Sequence, residues 1–191
     1  RTCSRGNRPC CLVMGRLHED ISTELAEWIG RQKMFFVGTS PLSETGSVNI
    51  SPKGYDTFRI IDSRTVAYLD LTGSGAETIA HLQENGRITF MWCSFEGPPR
   101  IVRIHARGRV VSTQDPSFQG VFDEIPGARS IIVATAERIS DSCGYSIPVM
   151  KFEEERSRLR EWAENKSEQE LTDYRQQKNS SSIDGLPALE K

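Results

Sequence analysis

Between Arg100 and Arg109 the chain reads Arg-Ile-Val-Arg-Ile-His-Ala-Arg-Gly-Arg, and no other stretch constrains the fold so tightly. Side chains on a β-strand repeat every two residues, so this alternation predicts a strand with Arg103, His105, Arg107 and Arg109 on one face. Val102, Ile104, Ala106 and Val110 fall on the other. Groups that are or can become cationic repel one another when they share a strand face. Water, carboxylates or a bound anion must neutralise them.

Composition narrows the setting. The 191 residues suit one domain with a real core. A hydrophobic content of 37% and a charged content of 26% describe a globular chain on the polar side. The net charge of −2 gives no global attraction to nucleic acid, so any cationic function is local. No apolar run approaches the roughly 20 residues that span a bilayer, so neither nucleic acid nor membrane is expected as a partner. Residues 1–13 read as an extension outside the fold, because Met14 precedes the first organised segment. Met14-Gly15 is not a myristoylation start, since Glu19 stands where Ser or Thr is wanted. The odd set Cys3, Cys10, Cys11, Cys93 and Cys143 shows no zinc spacing and points to free thiols in a reducing cytoplasm.

Local patterns predict the element order. Ile21, Leu25, Trp28 and Ile29 recur at helical spacing, with Asp20 or Ser22 as N-cap, giving a helix at about 21–32. Strands are expected at Met34 to Thr39 and at Ser47 to Lys53, the latter with Ser47, Asn49, Ser51 and Lys53 on one face, opposite Val48 and Ile50. Thr57 to Ile61 and Thr65 to Leu71 follow. A Thr72-Gly-Ser-Gly75 turn then opens a helix at about 76–84, ended by Asn85-Gly86. Arg87 to Phe95, Arg100 to Ser112 and Ser130 to Ile139 read as strands, with a short helix at Pro116 to Ile125. Beyond Lys151, Phe152, Leu159, Trp162 and Ala163 mark one helix, and Ser167-Glu-Gln-Glu170 is a capping box that starts another. Ile183, Leu186 and Leu189 give the tail apolar residues that need a surface to pack on. Six or seven short strands before a helical C-terminus imply a mainly β, α+β fold: an antiparallel barrel with helices at its openings. Its parts are the 1–13 extension, a barrel domain over 14–150, and C-terminal helices and tail over 151–191.

Three polar elements stand out. The Thr72–Gly75 turn follows a strand and opens a helix, so its N–H groups and the helix dipole favour an anion, though plain turns share this composition. It is neither the Rossmann fingerprint nor a Walker loop. Ser51-Pro-Lys53-Gly54 places a hydroxyl and an ammonium at a strand end, which is also what an ordinary solvated exit looks like. His81 sits mid-helix, where a lone histidine is usually structural. No nucleophile elbow and no glycosidase-like carboxylate pair is present.

In combination these elements carry a resemblance. Phe35-Phe-Val37, Val48-Asn-Ile-Ser-Pro-Lys-Gly54, Tyr68-Leu-Asp-Leu-Thr-Gly-Ser-Gly75, Glu84-Asn-Gly-Arg-Ile88, and Ile101-Val-Arg103 with Gly108-Arg109 follow one another as in the pyridoxamine 5′-phosphate oxidase-like family. The chain resembles that family over about residues 21–140. Residues 141–191, with Ser181-Ser-Ile-Asp-Gly-Leu-Pro187, are similar to a narrower bacterial and eukaryotic subgroup. The resemblance implies an FMN-binding split β-barrel, a homodimer with flavin at the subunit interface, and a small-molecule substrate. It places Asn49, Ser51 and Lys53 on the strand that meets the flavin and its ribityl phosphate. Tyr68, Leu69 and Asp70 would lie along the isoalloxazine, with Thr72, Ser74 and Thr78 near the phosphate. Arg103 would contact the polar ring edge, where a donor favours the reduced flavin.

The sequence departs from the family's best-known enzymes twice. They carry Arg-Lys at the helix start, where this chain has about Glu77-Thr78, so its phosphate contacts would come from backbone N–H groups and arginines elsewhere, a second subunit among the sources. Their C-terminal Arg- and Trp-containing segment, which holds pyridoxal phosphate, is not reproduced in Lys151 to Lys191. That implies a flavin-dependent oxidoreductase other than the vitamin-forming enzyme. The competing readings are a non-catalytic flavin or haem binder, with His105 or His81 as axial ligand, and a deazaflavin-dependent reductase.

Overall fold

Residues 15–189 are described by a computed structural model; the 1–13 extension, with Cys3, Cys10 and Cys11, lies outside them. The strands are β1 (Arg16–His18), β2 (Phe35–Thr39), β3 (Asn49–Lys53), β4 (Phe58–Ile60), β5 (Thr65–Leu71), β6 (Arg87–Cys93), β7 (Ile101–Val111) and β8 (Ala128–Ser142). The helices are α1 (Thr23–Gly30), α2 (Glu77–Asn85), α3 (Arg158–Glu164) and α4 (Glu168–Lys178). One antiparallel sheet runs β3-β2-β6-β7-β8-β5-β4, with β1 paired to β8, and this is the expected split barrel.

The alternation in β7 is realised as read. Val102 and Ile104 are fully buried and Ala106 nearly so, while His105, Arg107 and Arg109 are exposed. Because facing residues in an antiparallel ladder share a face, the register extends the inner face to Val37, Phe90, Tyr68 and Ile132. Phe35, Phe58, Tyr68, Phe90 and Trp92 fill that core with edge-on and stacked rings, Phe58 and Trp92 having centroids 4.8 Å apart. A second apolar cluster, of Ala67, Leu69, Phe118, Ile131 and Val133, lies on the opposite face of β5 and β8.

The helix ends follow their signals. Ser22 Oγ accepts the Leu25 N–H to cap α1. Gly86 takes a left-handed φ of 71° to end α2. Ser167 and Glu170 close the expected capping box on α4. Other expectations are corrected. The 116–125 helix is a single 3₁₀ turn at Pro116–Phe118. Phe152 stands ahead of α3, its N–H donated to Glu96 Oε1. β1 had no sequence signal. In the tail, Leu186 and Leu189 pack against the core and Ala188 is buried, whereas Ile183 is 75% exposed. No described helix is long and apolar enough to cross a membrane.

Candidate functional site

β3 is an edge strand that turns its polar residues inward. Val48 and Ile50 are 70% and 69% exposed, while Asn49, Ser51 and Lys53 face Thr39, Val37 and Phe35 of β2. Asn49 Nδ2 donates to Thr39 Oγ1 and to Thr78 Oγ1, both at 3.2 Å, and its Oδ1 accepts from Ser51 Oγ at 3.1 Å. His81 Nδ1 lies 3.0 Å from the same Thr39 hydroxyl. A hydroxyl and amide network thus ties β3 to β2 and the first turns of α2.

Beside it lies a buried ion cluster. Asp70 is fully buried, with Lys53 Nζ 3.1 Å from Oδ1 and Arg129 Nε 2.7 Å from Oδ2. Burial pushes this carboxyl's pKa up, but the Lys53 and Arg129 charges more than offset it and hold it below the ordinary carboxylate value. Arg129 is brought there by a bulge. Asp70 pairs with Ser130 and Leu71 with Ala128, which leaves Arg129 as the extra residue of β8. Such an insertion breaks strict alternation and re-aims a side chain.

Tyr68, also fully buried, has a hydroxyl with no hydrogen-bond partner. Burial raises its pKa well above the usual value, as does the Asp70 charge, while Arg129 and Thr78 nearby pull the other way. Removing this hydroxyl is cheap, because no bond is lost. Tyr68→Phe is therefore expected to leave unfolding free energy within about 1 kcal/mol of the parent, or slightly above it. A loss of about 2 kcal/mol or more in urea denaturation would show that the hydroxyl is bonded within the fold.

The Thr72–Gly75 turn sits next to Asp70. Thr72 N–H and Oγ1 both donate to Gly127 O, at 2.8 Å. Arg175, from α4, donates through Nε to Thr72 Oγ1 at 2.9 Å and through Nη2 to Ala128 O at 3.1 Å. Arg129 Nη1 reaches Gly75 O at 3.0 Å and Asn179 Oδ1 at 2.8 Å, and Asn179 Nδ2 reaches Gly73 O at 3.0 Å. The main-chain N–H groups from Gly73 to Thr78 have no acceptor among the described residues, and Ala76 gives α2 no side-chain cap. The tail closes over this end: Asp184 accepts Ser47 N–H at 2.6 Å and Ser47 Oγ at 3.1 Å, and Glu77 Oε2 accepts Ile183 N–H at 3.3 Å.

The structure therefore gathers Asn49, Ser51, Lys53, Tyr68, Asp70, Thr72 and Thr78, with Ser74 exposed on the turn. It sets two others apart. Leu69 packs in the second apolar cluster across the sheet. Arg103 faces Met91 on the outer side and donates to Ser142 Oγ at 3.2 Å. His105 is also outside, in an open groove of about 460 Å³ with Arg87, Arg107, Glu137, Val48 and Ile50, its Nδ1 3.1 Å from Thr89 Oγ1. His81 is 1% exposed and held on Thr39, so it offers no open face for an axial bond. Among the described residues no group of histidine, cysteine and carboxylate side chains is placed to hold a metal.

Sequence reasoning missed Arg129, Arg175 and Asn179. Arg129 carries no signal in a strand read by alternation, because the bulge moves it. The capping box announces α4 but not the surface on which it docks.

Residues 21–143 match the sequence pattern of the family described as pyridoxamine 5′-phosphate oxidase. A protein of Aspergillus flavus, the pyridoxamine 5′-phosphate oxidase family protein ustO, is 38% identical over 192 residues, covering 90% of this chain and 77% of its own. A crystal structure of HupZ from Group A Streptococcus superposes with a TM-score of 0.50 at 21% identity, covering 63% of this chain and 98% of that one. The second likeness bears on the fold alone.

Proposed function

The chain belongs to the pyridoxamine 5′-phosphate oxidase family, and on that premise we propose that it is an FMN-dependent oxidoreductase acting on a small molecule, as a cytoplasmic homodimer. The observation that carries the reading is the run of unpaired N–H groups from Gly73 to Thr78 beside the Lys53–Asp70–Arg129 cluster. Cations and donors outnumber anions there, and a phosphate monoester is the group that such a place suits.

The residues fit the cofactor on two further counts. Gly73 has open space where a side chain would stand, so a ligand can approach its backbone. Tyr68 Oη is an orphaned buried donor next to Thr78 and Asp70. Lys53 supplies the mobile charge, since its side chain keeps 22% exposure while Asp70 orients it. Asn49 and Ser51, bonded to Thr39, Thr78 and each other, hold the β3 side of the site in place, and the Thr39–His81 pair fixes the wall behind them. A bound flavin would supply hydride acceptance and electron transfer, and the residues named here would bind and orient it.

A dimer is supported by β3 itself, an edge strand whose Val48 and Ile50 stand exposed and apolar. The free thiols of Cys93 and Cys143 suit a reducing compartment. The substrate is proposed to differ from pyridoxamine 5′-phosphate, because α3, α4 and the tail do not reproduce the segment that holds that dianion in the vitamin-forming enzymes.

Titrating apo-protein with FMN tests the reading. Saturable binding at micromolar FMN is expected, weakened about tenfold in Lys53→Ala by the loss of one charge-assisted contact. Absence of saturable binding would overturn the cofactor assignment.

A further inference from the structure

We propose that Arg175, on the C-terminal helix α4, acts with Arg129 as the cationic wall of the Thr72–Gly75 anion site, so that the phosphate contacts come from this chain's own C-terminal segment. The inference rests on the flavin reading above for the identity of the ligand, and on geometry for the site.

Three observations carry it. The first is what Arg175 lacks. Its Nε and one Nη2 hydrogen are used on Thr72 Oγ1 and Ala128 O, yet no carboxylate among the described residues forms an ion pair with it. Three of its five N–H donors remain open to water or to an incoming anion. Burial lowers its pKa, Glu168 at a distance opposes that, and Arg129 adds repulsion.

The second observation is the company it keeps. Arg129 is 5% exposed and spans Asp70, Gly75 O and Asn179 Oδ1, so the turn lies between two guanidiniums. Asp70 is the carboxylate of this cluster and is already shared between Lys53 and Arg129. A second acid, Glu77, lies close to Gly75 at the α2 start, and its Oε2 is engaged by Ile183 N–H. The third observation is the donor set: the unpaired N–H groups of Gly73 to Thr78, and the orphaned hydroxyl of fully buried Tyr68 directed at the α2 first turn.

The two guanidiniums reach the turn from separate parts of the chain, Arg129 from β8 by a bulge and Arg175 from α4 by helix docking.

The test titrates FMN, and riboflavin, which lacks the phosphate, into full-length apo-protein and its Arg175→Met variant. FMN affinity is expected to fall at least about tenfold while riboflavin affinity stays within about twofold. FMN binding unchanged to about twofold, or an equal fall for both ligands, overturns the proposal, the latter because it reports general damage. Arg175→Lys keeps the charge but not the fork, and should lose about three- to fivefold for FMN alone. It decides the matter if Arg175→Met fails to fold, an unchanged FMN affinity then overturning the proposal. If neither flavin binds the parent protein, the flavin reading fails and inorganic phosphate tests the anion site by itself. A rise in melting temperature with phosphate that Arg175→Met lacks supports the site, and equal behaviour of the two proteins overturns it.

Discussion

Replacing Asp70 with alanine is expected to cost the fold about 3–5 kcal/mol, the usual penalty for removing one member of a buried ion cluster. The loss follows less from the missing contacts than from what is stranded. Arg129 is 5% exposed and cannot reach water without opening the bulge that holds it. Lys53 is 22% exposed and can swing outward, so Lys53→Ala should be far milder for stability. Asp70→Asn keeps the shape and one acceptor but not the charge, and should fall between the two. Denaturant unfolding of the three variants checks the order; an Asp70→Ala cost below about 1 kcal/mol would mean that the cluster relaxes freely into solvent.

The same carboxylate sets a pH dependence. Its folded pKa lies below the unfolded value because Lys53 and Arg129 outweigh the burial that raises it. A depressed folded pKa gives stability that is present above the unfolded value, about pH 4, and lost as pH falls through the folded value. The parent should therefore lose stability below about pH 4. Asp70→Asn should lose less over that window, since it has no proton to take up there. Parallel acid limbs for the two would assign the acid sensitivity to other carboxylates.

Much of this molecule was legible in its residues because local chemistry and tertiary placement agree. The β7 alternation fixes both faces of the central strand. Asn85-Gly86 ends α2 where a left-handed residue is needed, and Ser167 with Glu170 starts α4. The face assignment of β3 also holds, but alternation cannot say which face is inside. There the polar face is inward, because Asn49 and Lys53 find Thr78 and Asp70, while Val48 and Ile50 are left outside. Arg129 escaped for the opposite reason. A bulge is a two-against-one pairing, so it depends on a partner strand nearly sixty residues away. Arg103 is the mirror case: its face was read correctly, and that face is turned away from Lys53 and Asp70. Family motifs name residues at one site without saying which sheet face each occupies. The short helix expected at Pro116 to Ile125 stops after one turn because Gly120, two residues past Phe118, takes a left-handed φ, and Val121, Phe122 and Ile125 pack on the second apolar cluster beside Phe118 without forming a helix.

A chain ending at Asn179 is expected to fold, to lose about 2–4 kcal/mol, and, on the flavin reading proposed above, to leave the bound flavin more open to solvent. Asn179 is kept because it is fully buried and bridges Arg129 to Gly73 O. What goes is the strap. Ala188 is buried, and Leu186 and Leu189 pack on the main core, so the area term alone is about 2–3 kcal/mol as an upper figure. The polar part is local to the site. Asp184 grips both the N–H and the hydroxyl of Ser47 just ahead of β3, and Ile183 N–H holds Glu77 at the start of α2. Gly185, at a φ of 80°, makes the turn that lets one short segment do both. Without the strap, β3 and the α2 start lose their common clamp, and Glu77, whose Oε1 already lies beside Gly75, is freed of Ile183 N–H to turn in on the Gly73–Thr78 N–H groups, where a carboxylate competes with a phosphate. FMN affinity should therefore fall more than riboflavin affinity, and iodide should quench the bound flavin more strongly in the truncated protein than in the full chain. Equal quenching in the two proteins would place the flavin away from the strap. Equal stability would show that Ala188, Leu186 and Leu189 contribute nothing to holding the barrel's open end.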